Sequence, residues 1–326
     1  MFILGCHRSG TSYLTGSLRQ SLKTFDKSFA IKKEQFSAKV DNPYGFQETK
    51  DIVALNDELL ELANANSMHP FLFEPNWRRL GELVELDSKR EIVKPWAITT
   101  KWIEKDPRLC LTRGAYLHLL LKQVPSIAII RHPFQVSNSL FARTSIPSSE
   151  ALGVWALYNY HLFTANVPSP LTTVIFENLV ENPSKESERI TEALFQIPDF
   201  IETEAHQIQL IDSINHSLKS NLDLSLCRSE SQDLYCEQAP ASFRSMCLEA
   251  YKECLSKNPD YEACFKDLVL QNIQYLNQLF PGLKTNSELI SENNQLRQGI
   301  KNLQSSLSWR VTSPLRGLRP WRYQTR

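Results

Sequence analysis

The chain opens on Phe2-Ile-Leu4, continues through Gly5-Cys-His-Arg-Ser-Gly-Thr-Ser12 and runs on into Tyr13-Leu-Thr-Gly-Ser-Leu18. Short apolar run, glycine- and hydroxyl-rich stretch and helix-forming stretch predict a buried strand over Phe2–Leu4, a loop over Gly5–Ser12 and a helix beginning at Tyr13. A strand that feeds a helix through such a loop makes an anion cradle, because backbone N–H groups converge and the helix dipole favours negative charge. Gly5 and Gly10 have the separation of the two glycines in the phosphate-loop pattern GxxxxGK[ST], but Thr11 stands at the lysine position and Ser12 at the Ser/Thr position. The lysine that would neutralise β- and γ-phosphates is missing from the loop, and the loop's own cation is Arg8. Such a loop is equipped to hold a phosphate but lacks the main equipment for γ-phosphoryl transfer; the plain alternative is a tight strand-to-helix turn with no ligand.

The remainder of the chain bounds what can be built around that loop. With 326 residues, 42% of them hydrophobic, it is long enough for one large domain with a full core. A formal net charge of zero argues against nucleic acid as a bulk electrostatic partner. No apolar run reaches the ~18 residues of a membrane span, and the immediate entry into a strand leaves no room for a signal peptide, so a cytoplasmic protein is expected. The seven cysteines are odd in number and none forms a CxxC pair; packed free thiols are expected rather than a zinc site.

Ile127-Ala-Ile-Ile130, bounded by Pro125 and Pro133, reads as a central strand buried on both faces. Leu171–Phe176 reads as another strand. Helical spacing or composition marks residues 51–63, 113–123 and 136–143, whereas Lys105-Asp-Pro-Arg108 reads as a loop. Strands alternating with helices at crossover length predict an α/β fold, a P-loop-like parallel β-sheet flanked by helices. From about Ser184 a helical C-terminal region follows, over 184–194, 241–257 and 261–279. The expected organisation is a catalytic domain over 1–282, a heptad segment over 283–307 and a basic tail over 308–326. Leu289, Asn293, Leu296, Ile300, Leu303 and Leu307 form the heptad seam, which suits a short coiled coil, and hence a homo-oligomer, or a surface helix equally well. The tail carries five arginines, Trp309 and Trp321, and no acid. It suits either a peripheral contact with a membrane or a partner, or a solvated end.

Arg131 stands at the carboxyl tip of the buried strand, where open α/β sheets bind ligands, and Ser139 lies eight residues on, in the helix that follows. A guanidinium and a hydroxyl so placed suit a second phosphate. With His7-Arg-Ser-Gly-Thr-Ser-Tyr-Leu14, Ile129-Ile-Arg-His-Pro133 through Ser139, and Phe176-Glu-Asn-Leu179 followed by Asn182-Pro183, the chain resembles the sulfotransferases that use 3′-phosphoadenosine 5′-phosphosulfate (PAPS), over about residues 1–225. The resemblance implies that Arg8, Ser9, Gly10, Thr11 and Ser12 hold the 5′-phosphosulfate and that Arg131 and Ser139 hold the 3′-phosphate. It implies PAPS as co-substrate, with no metal. Asn42–Glu48, Val53–Asp57 and Lys105–Arg108 resemble a bacterial subset found with polysaccharide-assembly genes. Ser308–Arg316 resembles a C-terminal motif of some bacterial glycosyltransferases and sulfotransferases, which implies a carbohydrate or glycolipid acceptor and a glycosyltransferase contact through the tail.

Sulfuryl transfer needs in-line positioning, a cation at the leaving oxygen and a proton acceptor. Arg8 suits the second task. For the third, Glu48 is the first candidate and Asp106 the second, with His7 and His132 as neighbours of the two motifs; Lys105 and Arg108 are candidate contacts to the sulfate or to an anionic acceptor. The competing readings are a P-loop small-molecule kinase and a non-catalytic domain that binds a nucleotide or a partner.

Overall fold

A computed structural model describes residues 1–26, 29, 47–83, 86–99, 101–200, 205–221 and 238–280. All lie in one compact unit, Met1–Leu283. Asn42–Phe46, the heptad segment and the basic tail lie outside the described residues.

Four strands form one sheet: β1 (Phe2–Leu4), β2 (Glu104–Lys105), β3 (Ser126–Ile130) and β4 (Thr172–Ile175). The order is β2-β1-β3-β4 and every pairing is parallel, with Phe2 opposite both Glu104 and Ser126, and Ile130 opposite Ile175. Between β1 and β2 come α1 (Thr11–Phe25), α2 (Lys50–Leu62), α3 (Trp77–Leu83) and α4 (Leu86–Ile98). Helix α5 (Leu109–Leu120) joins β2 to β3; α6 (Pro133–Thr144) and α7 (Ser148–Thr164) join β3 to β4. Then follow α8 (Phe176–Glu181), α9 (Pro183–Phe195), α10 (Ala205–Ser220), α11 (Ala241–Cys254), α12 (Tyr261–Gln271) and α13 (Ile273–Leu279). The chain is therefore α/β, a parallel sheet flanked by helices.

The period-two alternation of the strands divides the core. Phe2, Leu4, Ala128 and Ile130 join the apolar residues of α2, α5, α6, α7, α11 and α12 on one face. Ile3, Ile127 and Ile129 join those of α1, α9 and α10 on the other. Both faces are covered, so β1 and β3 consist wholly of buried residues, each large aliphatic or aromatic side chain contributing about 1.5–3 kcal/mol. Sequence and structure differ most at three elements. Lys105 belongs to a strand, not a loop. Helix α5 starts at Leu109, directly after Pro107-Arg108, rather than at 113. The long C-terminal helix is two, α12 and α13, parted at Asn272.

The strand order locates the functional end of the sheet. From β1 the chain moves outward to β2 on one side, and from β3 outward to β4 on the other. The loops leaving adjacent β1 and β3 thus diverge and open a crevice at their carboxyl ends. The first loop is Gly5–Gly10; the second begins at Arg131.

Candidate functional site

The loop after β1 is held open by two left-handed residues, Arg8 (φ 66°) and Gly10 (φ 90°). Its turn closes through Ser9 N–H donating to Cys6 O at 3.2 Å. A Cβ on Gly10 would lie 2.3 Å from Cδ2 of Phe176, so glycine is required here for conformation and for space. One on Gly5 would lie 2.6 Å from the carbonyl oxygen of Ile129, because β1 and β3 pass so close. Gly10→Ala is therefore expected to lower stability by about 1–3 kcal/mol, read as a shift of the urea midpoint at unchanged slope; an unshifted midpoint would show that loop and ring accommodate a methyl group. Ser9 is 1% exposed and its Oγ makes no hydrogen bond. An orphaned hydroxyl inside a loop that opens a helix is what an anion-binding cradle presents before its ligand is counted. The thiols flanking the loop are buried: burial pushes Cys110 up to about 12 and raises Cys6 as well, and Cys110 Sγ accepts the Gly5 N–H at 3.2 Å.

The lysine absent from the loop arrives from the next strand. Lys105 at the end of β2 is 2% exposed, and its Nζ donates to Ser12 Oγ at 2.9 Å and to Glu48 Oε1 at 2.7 Å. Burial lowers the pKa of this ammonium, while the Glu48 carboxylate acts in the opposite sense. Glu48 itself is fixed through its neighbours. Thr49 donates its N–H and its hydroxyl to the buried Glu104 carboxylate at 3.2 and 2.7 Å. Arg19 donates to Gln47 O at 2.8 Å and to Gln47 Oε1 at 3.2 Å. The Lys105 ammonium thus links the Glu48 carboxylate to the Ser12 hydroxyl at the start of α1.

The two motifs read as separate anion sites are in direct contact. Arg8 Nε donates to Ser139 Oγ at 2.8 Å, and Arg131 Nη1 donates to Arg8 O at 3.1 Å. The Arg131 guanidinium lies 4.4 Å from the centroid of the Phe176 ring, a cation–π contact on the ring that also faces Gly10. Ser9, Thr11 and Ser12 belong to the loop and first turn beside them. Seven of the candidate residues therefore gather at the mouth of the β1/β3 crevice, as do Glu48 and Lys105.

Asp106 stands apart in its surroundings. It is fully buried and accepts from Asn56 Nδ2 at 2.9 Å, Arg108 N at 3.1 Å and Arg108 Nη1 at 2.9 Å. A carboxylate so enclosed shapes the turn between β2 and α5 and aims Arg108, which also pairs with Asp57 at 2.6 Å. That geometry favours an orienting task over the proton-accepting one read from sequence, because no acceptor proton can reach an enclosed oxygen. His7 is likewise committed: Tyr158 Oη donates to Ser67 O at 2.8 Å and so accepts the His7 Nε2 proton at 3.0 Å. Burial first, then the nearby cations Arg108, Lys105, Arg143 and Arg8, lower the His7 pKa well below its usual value, which leaves the imidazole neutral. Sequence reasoning missed two features, the reach of Lys105 to Ser12 and the Glu177–Tyr251 contact described below. The only sequence signal for the first was the lysine absent from the loop.

Among the described residues, no group of three or more His, Cys, Asp and Glu is placed to hold a metal ion, and no helix is long and apolar enough to cross a membrane. No family model matches the chain, and no curated protein matches it. Among solved structures the chain is similar to the sulfotransferase domain of the olefin synthase of Synechococcus PCC 7002, with 17% identity, 85% of this chain and 92% of that chain covered, and a TM-score of 0.32. At that TM-score the likeness carries no argument about what this chain does.

Proposed function

We propose that the chain is a sulfotransferase that moves a sulfuryl group from PAPS to an acceptor hydroxyl on a carbohydrate or glycolipid. The observation that carries this reading is the Lys105 ammonium bridging Ser12 Oγ and Glu48 Oε1 at 2.9 and 2.7 Å, beside the contact between Arg8 and Ser139. In this reading the loop N–H groups, Ser9 and Ser12 bind the 5′-phosphosulfate, and Arg131 with Ser139 binds the 3′-phosphate. Arg8 and Lys105 face the bridging oxygen, where negative charge develops as the sulfur–oxygen bond breaks. Glu48 takes the acceptor hydroxyl proton as the new oxygen–sulfur bond forms. The products are a sulfate ester and adenosine 3′,5′-bisphosphate. The carbohydrate class rests on the resemblances of residues 42–48, 53–57, 105–108 and 308–316.

The kinase reading fares less well on the same geometry. In a phosphate-loop kinase the hydroxyl after the lysine position ligates Mg²⁺. Here that hydroxyl, Ser12 Oγ, accepts from an ammonium, so a cation of the protein stands where the metal would. Titration calorimetry separates the two readings. Adenosine 3′,5′-bisphosphate is expected to bind without metal, at least about tenfold tighter than adenosine 5′-diphosphate, from the charge-assisted bonds to the 3′-phosphate. Binding that instead requires ATP with Mg²⁺, or no binding of the bisphosphate, would overturn the sulfotransferase reading.

A further inference from the structure

The arm of the site that ends β3 is fixed from a helix more than a hundred residues downstream. The Arg131 carbonyl accepts Trp155 Nε1–H at 3.0 Å, and the next peptide N–H, that of His132, donates to Glu177 Oε1 at 3.1 Å. Glu177 Oε2 in turn accepts from Tyr251 Oη at 2.7 Å. Tyr251 sits on α11, is 6% exposed, and packs its ring edge-on against His132 with centroids 5.0 Å apart. The peptide that carries Arg131 into the site is therefore pinned on both sides, by Trp155 at its carbonyl and by Glu177 at its N–H. Glu177 follows Phe176 directly, so one dipeptide at the end of β4 supplies both the ring under the Arg131 guanidinium and the acceptor that fixes its backbone. The carboxylate of that dipeptide is held between the His132 N–H and the Tyr251 hydroxyl.

We infer that Tyr251 is a positioning residue of the proposed 3′-phosphate site: by holding the Glu177 carboxylate against the His132 N–H, it sets the aim of the Arg131 guanidinium. The inference rests on the sulfotransferase reading. A hydroxyl bonded to a carboxylate makes a short, charge-assisted bond, and bidentate recognition of a phosphate tolerates little angular error. Burial and the Glu177 carboxylate both raise the Tyr251 pKa, which keeps the hydroxyl protonated and donating. Loss of the hydroxyl frees one oxygen of Glu177 to seek other donors, and the peptide beside Arg131 loosens with it. A purely structural Tyr251, one that only packs α11 against His132, would do its work equally well as phenylalanine.

The test is Tyr251→Phe, which keeps the ring and removes the bond. The ratio of dissociation constants for adenosine 5′-phosphate and adenosine 3′,5′-bisphosphate reads the 3′-site alone. Tyr251→Phe is expected to reduce that ratio about five- to tenfold, chiefly by weakening the bisphosphate, and to raise KM for PAPS with kcat within about twofold. In an Arg131→Lys background the same change should have no further effect on the ratio, since it acts through that guanidinium. A Tyr251→Phe protein with the wild-type ratio, or one that weakens both nucleotides equally, would overturn the inference. A wild-type protein that does not distinguish the two nucleotides would overturn the functional reading beneath it.

Discussion

Lys105→Met is expected, on the proposed sulfotransferase reading, to lower the rate of sulfuryl transfer by about two to three orders of magnitude and, as a single change, to destabilise the fold by about 3 kcal/mol. The two effects have different origins and come apart in a double variant. The Lys105 side chain is 2% exposed and that of Glu48 14%, so removing the ammonium leaves a nearly buried carboxylate facing a thioether. That uncompensated charge, not the loss of the pair's attraction, accounts for the stability cost. Changing Glu48 to Gln at the same time removes the charge, and Lys105→Met/Glu48→Gln should regain most of the lost stability. It should regain none of the rate, because on that reading one of the two cations facing the leaving oxygen and the proton acceptor are then both gone. Urea denaturation reads the first quantity and single-turnover transfer from labelled PAPS the second. If rate returned along with stability, the pair would be a structural strut, and the cation of the reaction would have to be Arg8 alone.

What made Lys105 hard to recognise is instructive about the rest of the chain. Strands β1 and β3 could be placed from sequence because burial on both faces demands consecutive apolar residues, and Phe2–Leu4 and Ile127–Ile130 supply them. Strand β2 is Glu104–Lys105, two charged residues that are 4% and 2% exposed, the reverse of what hydropathy leads one to expect. They tolerate burial because every charge is met: Glu104 by Thr49, and Lys105 by Ser12 and Glu48. None of those partners is close in sequence, so no local pattern announces the strand. Helix α7 was hidden for a related reason. Its buried residues run from Ser148 through Leu162 on all sides, and a helix without a polar face has no 3.6-residue stripe to read. The Gly5–Ser12 loop was legible as a motif because its residues are contiguous. Its contacts are not: Arg8 meets Ser139 across 131 residues and Lys105 meets Ser12 across 93. Sequence offered Glu48 first and Asp106 second as loop carboxylates. Enclosure by Asn56 and Arg108 distinguishes them, and enclosure is a tertiary property.

Stability should fall as the pH drops from about 6.5 to about 4, and His161 is expected to supply about 3 kcal/mol of that loss. The residue lies on α7 with 1% exposure; Nε2 bonds the Phe71 carbonyl at 2.8 Å, and the ring packs edge-on against Phe71 with centroids 4.7 Å apart. Nε2 is therefore the protonated nitrogen of a neutral ring, and Nδ1 is buried with no hydrogen-bond partner. Burial lowers the His161 pKa to about 4, against a lesser opposing pull from the carbonyl. Above pH about 6.5 the ring is neutral in both the folded and unfolded chain, and pH has no leverage through it. Between the two pKa values the unfolded chain binds a proton that the folded one refuses, so each step down in pH favours unfolding. Below about 4 both states are protonated and the slope vanishes. His161→Gln supplies a nitrogen donor for the Phe71 carbonyl but cannot take up a proton there. Its unfolding free energy should run below that of the wild type at pH 7.5 and converge on it, or cross it, by pH 4. His7, lowered in the same direction, is present in both proteins and cancels in the difference. Parallel curves for the two proteins across that window would mean that the ring takes its proton without leaving the core, and the acid sensitivity of the fold would then lie elsewhere.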